Sequence, residues 1–289
     1  MGNALSAVTE GNLVSYYNPA LSPFQKNNSF QTSYSFLSLD RSLNFLNFTK
    51  KFEFGTQTDA EGNTKPRSTA GISAGIINAG VSKIDSRDNQ GRKMGDISTS
   101  ENQFFVSVAN RFSNKLAIGI AFKFYYYKLY EEVTSTSLGI DIGAIYLLNE
   151  NITLSFMISD LNSKYAWDTG KLFGTSGLKT DDKFPISKKV GASYKFTNQS
   201  LIVAAEFENS NAGTNIFRGG AEYMVYENLF IRAGFDKFNI SNSDFPVRPS
   251  AGFSYQYKLS STIIGIDYAF AMEPYSLFDQ HIVGINLNF

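Results

Sequence analysis

Residues 116–127 read Leu116-Ala117-Ile118-Gly119-Ile120-Ala121-Phe122-Lys123-Phe124-Tyr125-Tyr126-Tyr127. Leu116, Ile118, Ile120, Phe122, Phe124 and Tyr126 share one face, and Ala117, Gly119, Ala121, Lys123, Tyr125 and Tyr127 the other. A period of two is that of a strand, whose successive side chains point to opposite faces. The uniformly large apolar face suits lipid, and the face of small, aromatic and charged groups suits a packed or wet interior. Leu138, Ile140, Ile142 and Tyr146 likewise alternate with Gly139, Asp141 and Gly143, and Leu229, Ile231, Ala233 and Phe235 alternate with Phe230, Arg232, Gly234 and Asp236.

Working outward, such runs occur at 28–37, 42–53, 69–78, 101–112, 115–128, 135–147, 151–158, 187–196, 200–207, 215–225, 228–236, 247–257, 261–270 and 277–289. The first two alternate less cleanly. The lengths bracket the ~9–11 residues with which a tilted strand crosses a bilayer, and their number is even. Short connections at 113–114, 149–150, 197–199, 226–227 and 258–260 follow even-numbered runs, and longer ones at 79–100, 129–134, 159–186, 208–214, 237–246 and 271–276 follow odd-numbered ones. Outer-membrane barrels sort turns and loops in this way, whereas a soluble sandwich has no reason to. The exceptions are 38–41, short where a loop is expected, and 54–68, long where a turn is expected.

The reading is therefore all-β: a transmembrane antiparallel barrel of about fourteen strands over residues 28–289, preceded by a segment 1–27 that does not alternate. That segment contains Gly11, Pro19 and Pro23 and is expected to form a short helix and loop that plugs or caps the periplasmic mouth. In lipid every backbone N–H and C=O must be paired, and closure alone leaves no edge, so the last strand must meet the first. That last strand places Val283, Ile285, Leu287 and Phe289 on one face and ends on an aromatic residue, like the C-terminal signal read by barrel-insertion machinery. The expected location is the bacterial outer membrane, with outer-membrane lipid as surroundings and a secretory leader already removed.

Composition narrows the chemistry. No stretch reaches the ~18 apolar residues of a spanning helix, while 26 Phe, 16 Tyr and 23 Gly against seven Pro favour strands. The absence of Cys excludes disulfides, thiolate metal sites and a cysteine nucleophile. Twenty-six basic residues balance 26 acidic ones, leaving no basic footprint for nucleic acid. The single histidine, His281, cannot build a histidine ligand set; its alternation puts it with Phe289, in an interfacial packing role. No G-x-S-x-G elbow occurs, and Gly71-Ile72-Ser73-Ala74-Gly75 lacks the Gly-Lys-Ser/Thr of a phosphate loop, so these glycines read as inner-face residues that let the wall curve. Neither catalysis nor a cofactor is expected.

Lys123, Asp141, Glu206, Arg218, Glu222, Arg232, Asp236 and Asp267 gather on the predicted lumen face. They form either a self-satisfying, salt-bridged interior or a selective path for polar solutes. The 159–186 loop holds Trp167, the only tryptophan, with Tyr165, Phe173 and Phe184. These aromatics face a partner, or the loop folds back to cap its own barrel.

The opening Met1-Gly2-Asn3-Ala4 and the run Val14-Ser15-Tyr16-Tyr17-Asn18-Pro19-Ala20 resemble the start of the PorV/PorQ group within the fatty-acid-transporter-like (FadL-like) barrel superfamily. Asp182-Lys183-Phe184-Pro185 leading into Val190-Gly191-Ala192-Ser193-Tyr194, and Gly265-Ile266-Asp267-Tyr268-Ala269-Phe270, extend the similarity over most of the C-terminal half. The resemblance implies a fourteen-strand outer-membrane barrel of Bacteroidota in a type IX-like secretion system, contacting a translocon barrel, secreted cargo or attachment proteins. Under it Asn18, Pro19 and Ala20 shape the plug, and Tyr165, Trp167 and Phe173 touch a partner protein. The alternative within the superfamily is a channel for hydrophobic compounds.

Overall fold

The structure is a computed structural model and describes residues 1–58, 62, 64–130 and 132–289. The strands are β1 (Ser29–Phe36), β2 (Arg41–Thr58), β3 (Thr64–Arg87), β4 (Lys93–Arg111), β5 (Leu116–Lys128), β6 (Thr134–Leu147), β7 (Ile152–Leu161), β8 (Lys164–Asp168), β9 (Lys179–Lys183), β10 (Ser187–Phe196), β11 (Leu201–Ser210), β12 (Asn215–Tyr226), β13 (Leu229–Asn239), β14 (Arg248–Leu259), β15 (Thr262–Ala271) and β16 (Gln280–Asn288). Fourteen of them close a barrel in the order β1-β16-β15-β14-β13-β12-β11-β10-β7-β6-β5-β4-β3-β2, and β8 and β9 form a separate two-stranded sheet. The seam runs antiparallel from Ser29 opposite Asn288 to Phe36 opposite His281.

All fourteen runs read from the alternation are barrel staves. Large apolar groups such as Val106, Phe122, Phe156, Ile231, Phe253, Ile266 and Ile285 are exposed around the outside, the distribution expected where lipid is the solvent. Val283 and Phe289 lie on this outer face with Ile285, while Gly284 and Asn286 are buried. Leu287 is half-buried beside them. His281 is also exposed there; its Nδ1 lies 2.7 Å from the Tyr268 hydroxyl, and its ring packs against Phe270.

Three expected connections are different. Instead of a loop at 79–100, β3 and β4 run on as a ribbon to Arg87 opposite Lys93, held by ion pairs Arg87–Asp85 (2.5 Å) and Lys93–Asp96 (2.6 Å). Instead of a connection at 54–68, β2 continues to Thr58 and β3 starts at Thr64, which leaves only 59–63 between them. Both extensions carry polar residues on both faces because they project beyond the lipid, so the apolar period that marks a stave is missing there. The 159–186 loop contains β8, a helical turn at Gly170–Phe173, and β9. The connection at 37–40 is short, as read; Leu39 and Asp40 both have positive φ (62° and 51°), the left-handed backbone common in tight turns.

Residues 1–27 lie inside the barrel, toward its short-turn end. A 3-10 helix, Pro19–Phe24, is set by the Asn-Pro-Ala element. The Asn18 side-chain oxygen accepts from Ala20 N–H (3.0 Å), while its amide donates to the carbonyls of Ser6 (3.2 Å) and Ala144 (3.3 Å). Pro19 has no N–H to leave unpaired in the first turn. Ala20 and Leu21 are buried against Ala117 and Ile145, and Ala4 and Val8 against Ala204.

The inner-face glycines serve as pits for this segment. At Gly71, Gly119, Gly143, Gly191, Gly220 and Gly234, an added Cβ would fall within 2.6 Å of atoms of Ser22, Pro19, Asn18, Ser6, Met1 and Gly2 respectively. At Gly143 it would sit 2.0 Å from the Asn18 carboxamide oxygen. Gly143→Val is therefore expected to expel Asn18 and uncap the helix, at about 1–3 kcal/mol for overpacking. Faster proteolysis within residues 1–27, with unchanged barrel circular dichroism, is the expected result; an unchanged cleavage rate would refute the docking.

Candidate functional site

Lys123 on β5 lies 2.6 Å from Asp141 of β6 and 3.1 Å from Asp160 at the end of β7. Asp160 reaches this position because β7 bulges: Ile142 pairs with Ile158 but Ile140 with Leu161, and Asp160 itself has φ 63°. Its N–H donates to Asp141 (2.9 Å), and the Tyr125 hydroxyl donates to its carboxylate (2.8 Å). A second cluster centres on Arg218, which meets Glu206 (3.1 Å), Glu208 (2.7 Å) and Asp236 (2.6 Å). In a third, Arg232 meets Glu222 (2.5 Å) and Asp267 (3.3 Å).

The eight lumen charges named from sequence thus fall into three clusters and satisfy one another. Asp160, Glu208 and the Arg248–Glu273 pair (2.6 Å) were missed. Asp160 lies past a bulge that breaks the period, while Glu208 and Glu273 fall in or beside stretches read as loops.

The aromatic loop folds back onto the barrel. The β8 amides of Lys164 and Ala166 donate to Ser137 and Ser135 of β6 (3.2 and 2.8 Å). Tyr165 and Phe184 pack on Tyr125, and Trp167 packs on Tyr127, with ring centroids 5.1–6.4 Å apart. Trp167 Nε1–H donates to Asp182 (2.7 Å), and the Tyr165 hydroxyl donates to Glu101. Burial, reinforced by that carboxylate, holds the Tyr165 phenol above its ordinary pKa, so it remains a donor. Of the four residues expected to face a partner, Phe173 alone stays well exposed, at 63%. The inner-face aromatics Tyr125 and Tyr127 give the other three an apolar surface to cover.

Between the N-terminal segment and the wall lie two cavities. The larger, about 600 Å³, is lined by Leu5, Val14, Tyr16, Leu43, Phe45 and Ile77, with Lys237, Arg248 and Glu273 toward the loop end. The smaller, about 270 Å³, lies toward the short turns and is lined by Val8, Leu13 and Leu21 together with Gln31, Asn286 and the Arg232–Glu222–Asp267 cluster. Tyr17 and Phe45 border both. An apolar cavity of several hundred Å³ with a few polar groups at one end is the form of a small-molecule site.

The Lys123 cluster generates a stability test. Lys123→Met strands two carboxylates, one of them on Asp141 at 1% exposure, and is expected to cost about 3–5 kcal/mol. Adding Asp141→Asn should return part of the loss. Urea unfolding in lipid vesicles reads both variants; a loss under ~1 kcal/mol would mean that the carboxylates are effectively solvated.

No protein family and no curated protein matches the chain. Solved structures do. The toluene transporter TodX of Pseudomonas putida superposes with a TM-score of 0.60 at 14% identity, covering 99% of this chain and 96% of that one. The toluene transporter TbuX of Ralstonia pickettii gives 0.61 at 14% identity, covering 99% and 97%. A FadL homologue of Pseudomonas aeruginosa gives 0.56 at 11% identity, covering 100% and 96%. At these identities the likeness is one of fold: the chain is a closed, fourteen-strand antiparallel barrel built like the FadL-like outer-membrane barrels.

Proposed function

We propose that this chain resides in a bacterial outer membrane and admits small hydrophobic compounds through its lumen. The observation that carries the reading is the largely apolar, roughly 600 Å³ cavity beside the N-terminal segment, in a barrel whose buried Lys123 and Arg218 are both held in ion pairs. An apolar cavity lowers the cost of an apolar solute. The likeness to barrels described as toluene transporters supports the same choice. Residues 1–27 act as a plug in this reading. The role is non-catalytic and needs no cofactor; the sole histidine faces outward. The outer-face strand ending Val283, Ile285, Leu287 and Phe289 serves insertion.

A second reading, the type IX-like component suggested by the PorV/PorQ resemblance, is favoured by the apolar residues left exposed at the loop end. Phe173, Leu178, Tyr275, Leu277 and Phe278 are each at least 63% exposed and belong to connections outside the barrel. They would suit a translocon barrel or secreted cargo.

Uptake of toluene by proteoliposomes separates the two. The channel reading expects uptake above that of empty vesicles, cut roughly tenfold by Leu43→Glu, the equivalent of ~1.4 kcal/mol. No uptake, together with copurification of a translocon barrel from the native membrane, would transfer the assignment to secretion.

A further inference from the structure

The N-terminal segment is held unequally by the two sides of the barrel. Toward β7, β10 and β13 it is fixed by the ion pair Lys195–Glu10 (2.5 Å) and by bonds Asn3 to Asp236, Ser6 to Ser155, and Ser193 to the Ala7 carbonyl, each 2.8 Å. Its glycine pits lie on β3, β5, β6, β10, β12 and β13. The glycines of β14, β15 and β16 are different: a Cβ at Gly252, Gly265 or Gly284 would first meet Tyr268, Asn286 or Thr32, residues of the barrel itself.

On this second side the two cavities lie one above the other, sharing Leu5, Val14, Tyr17, Phe45, Ser250 and Ile282 in their linings. Toward the short turns, the segment meets β1 and β16 only through neutral amides: Gln31 to the Leu13 carbonyl (3.1 Å), Gln25 to Asn288 (3.3 Å) and Asn288 to Asn12 (3.5 Å). The two bonds of Asn288 are long and carry no charge, so each is worth little. Asn12 Nδ2 and Gln25 Oε1 are buried with no partner in the protein, and such groups gain when water reaches them.

We propose that hydrophobic compounds pass on the β1/β14–β16 side of the segment, from the larger chamber past Tyr17 and Phe45 into the smaller one, and leave by opening the Asn12–Gln25–Asn288 latch. The segment stays fixed to the opposite wall throughout. This inference rests on the channel reading and specifies its route and gate.

The chain contains no cysteine, so single cysteines can be introduced without background. With the whole protein in lipid vesicles and N-ethylmaleimide as probe, Ser33→Cys and Ser250→Cys, on the shared wall, should label roughly tenfold faster than Ser107→Cys and Ser155→Cys, beneath the segment. Equal rates at all four positions would overturn the route. Bridging Asn12→Cys to Asn288→Cys with a short bis-maleimide should abolish toluene uptake, while bridging Ser6→Cys to Ser155→Cys should leave it intact. The reverse pattern would mean that the segment leaves as a whole, and would overturn the latch. Absence of uptake from the unbridged protein would instead overturn the channel reading and the passage with it, a result distinct from either failure.

Discussion

The constraint on which this structure depends is that backbone amides in lipid have nowhere to bond except to each other. Fourteen staves satisfy that demand only if the last finds the first, and the register from Ser29–Asn288 to Phe36–His281 closes the cylinder. Side-chain placement follows from closure. With the sheet wrapped on itself, each stave has one face toward lipid and one toward a shared interior, and the period of two in Leu116–Tyr127 is its direct imprint.

Closure creates an interior that must then be filled. Here two solutions divide the space. Charged side chains pair across staves around Lys123, Arg218 and Arg232, and the N-terminal segment occupies much of the rest, seated in glycine pits and capped by Asn18. What neither fills is the sector along β1 and β14–β16, where the apolar cavities lie. The charges border that space: the Arg232 cluster lines the smaller cavity and the Arg248–Glu273 pair the larger, and apolar side chains line much of the remainder.

The staves were legible because alternation is local, and a lipid-facing residue declares itself within a few positions of its neighbours. The ribbon beyond Val81 and the β2–β3 extension were not, because outside the lipid both faces are polar and the period vanishes. The eight lumen charges could be placed on the correct face from parity alone, but Asp160 could not, since the bulge between Ile158 and Leu161 reverses parity where it matters. Gly119 and Gly143 appear in the sequence only as small members of the inner face. That they receive Pro19 and Asn18 depends on contacts spanning a hundred residues or more, which no local pattern carries. The aromatic loop stood open between a partner and its own barrel, and three of its four aromatics pack on Tyr125 and Tyr127.

The placement of residues 1–27 also bears on the order of assembly. The segment immediately precedes β1, yet it lies within the enclosure that β1 and β16 complete, touching staves as remote in sequence as β12 and β13. A closed cylinder offers no side entrance to a chain already tethered at its rim. Either the segment is laid across the nascent sheet before the clasp fastens, or it threads in afterwards from the short-turn end. In the first case it acts as a mandrel around which the sheet curls.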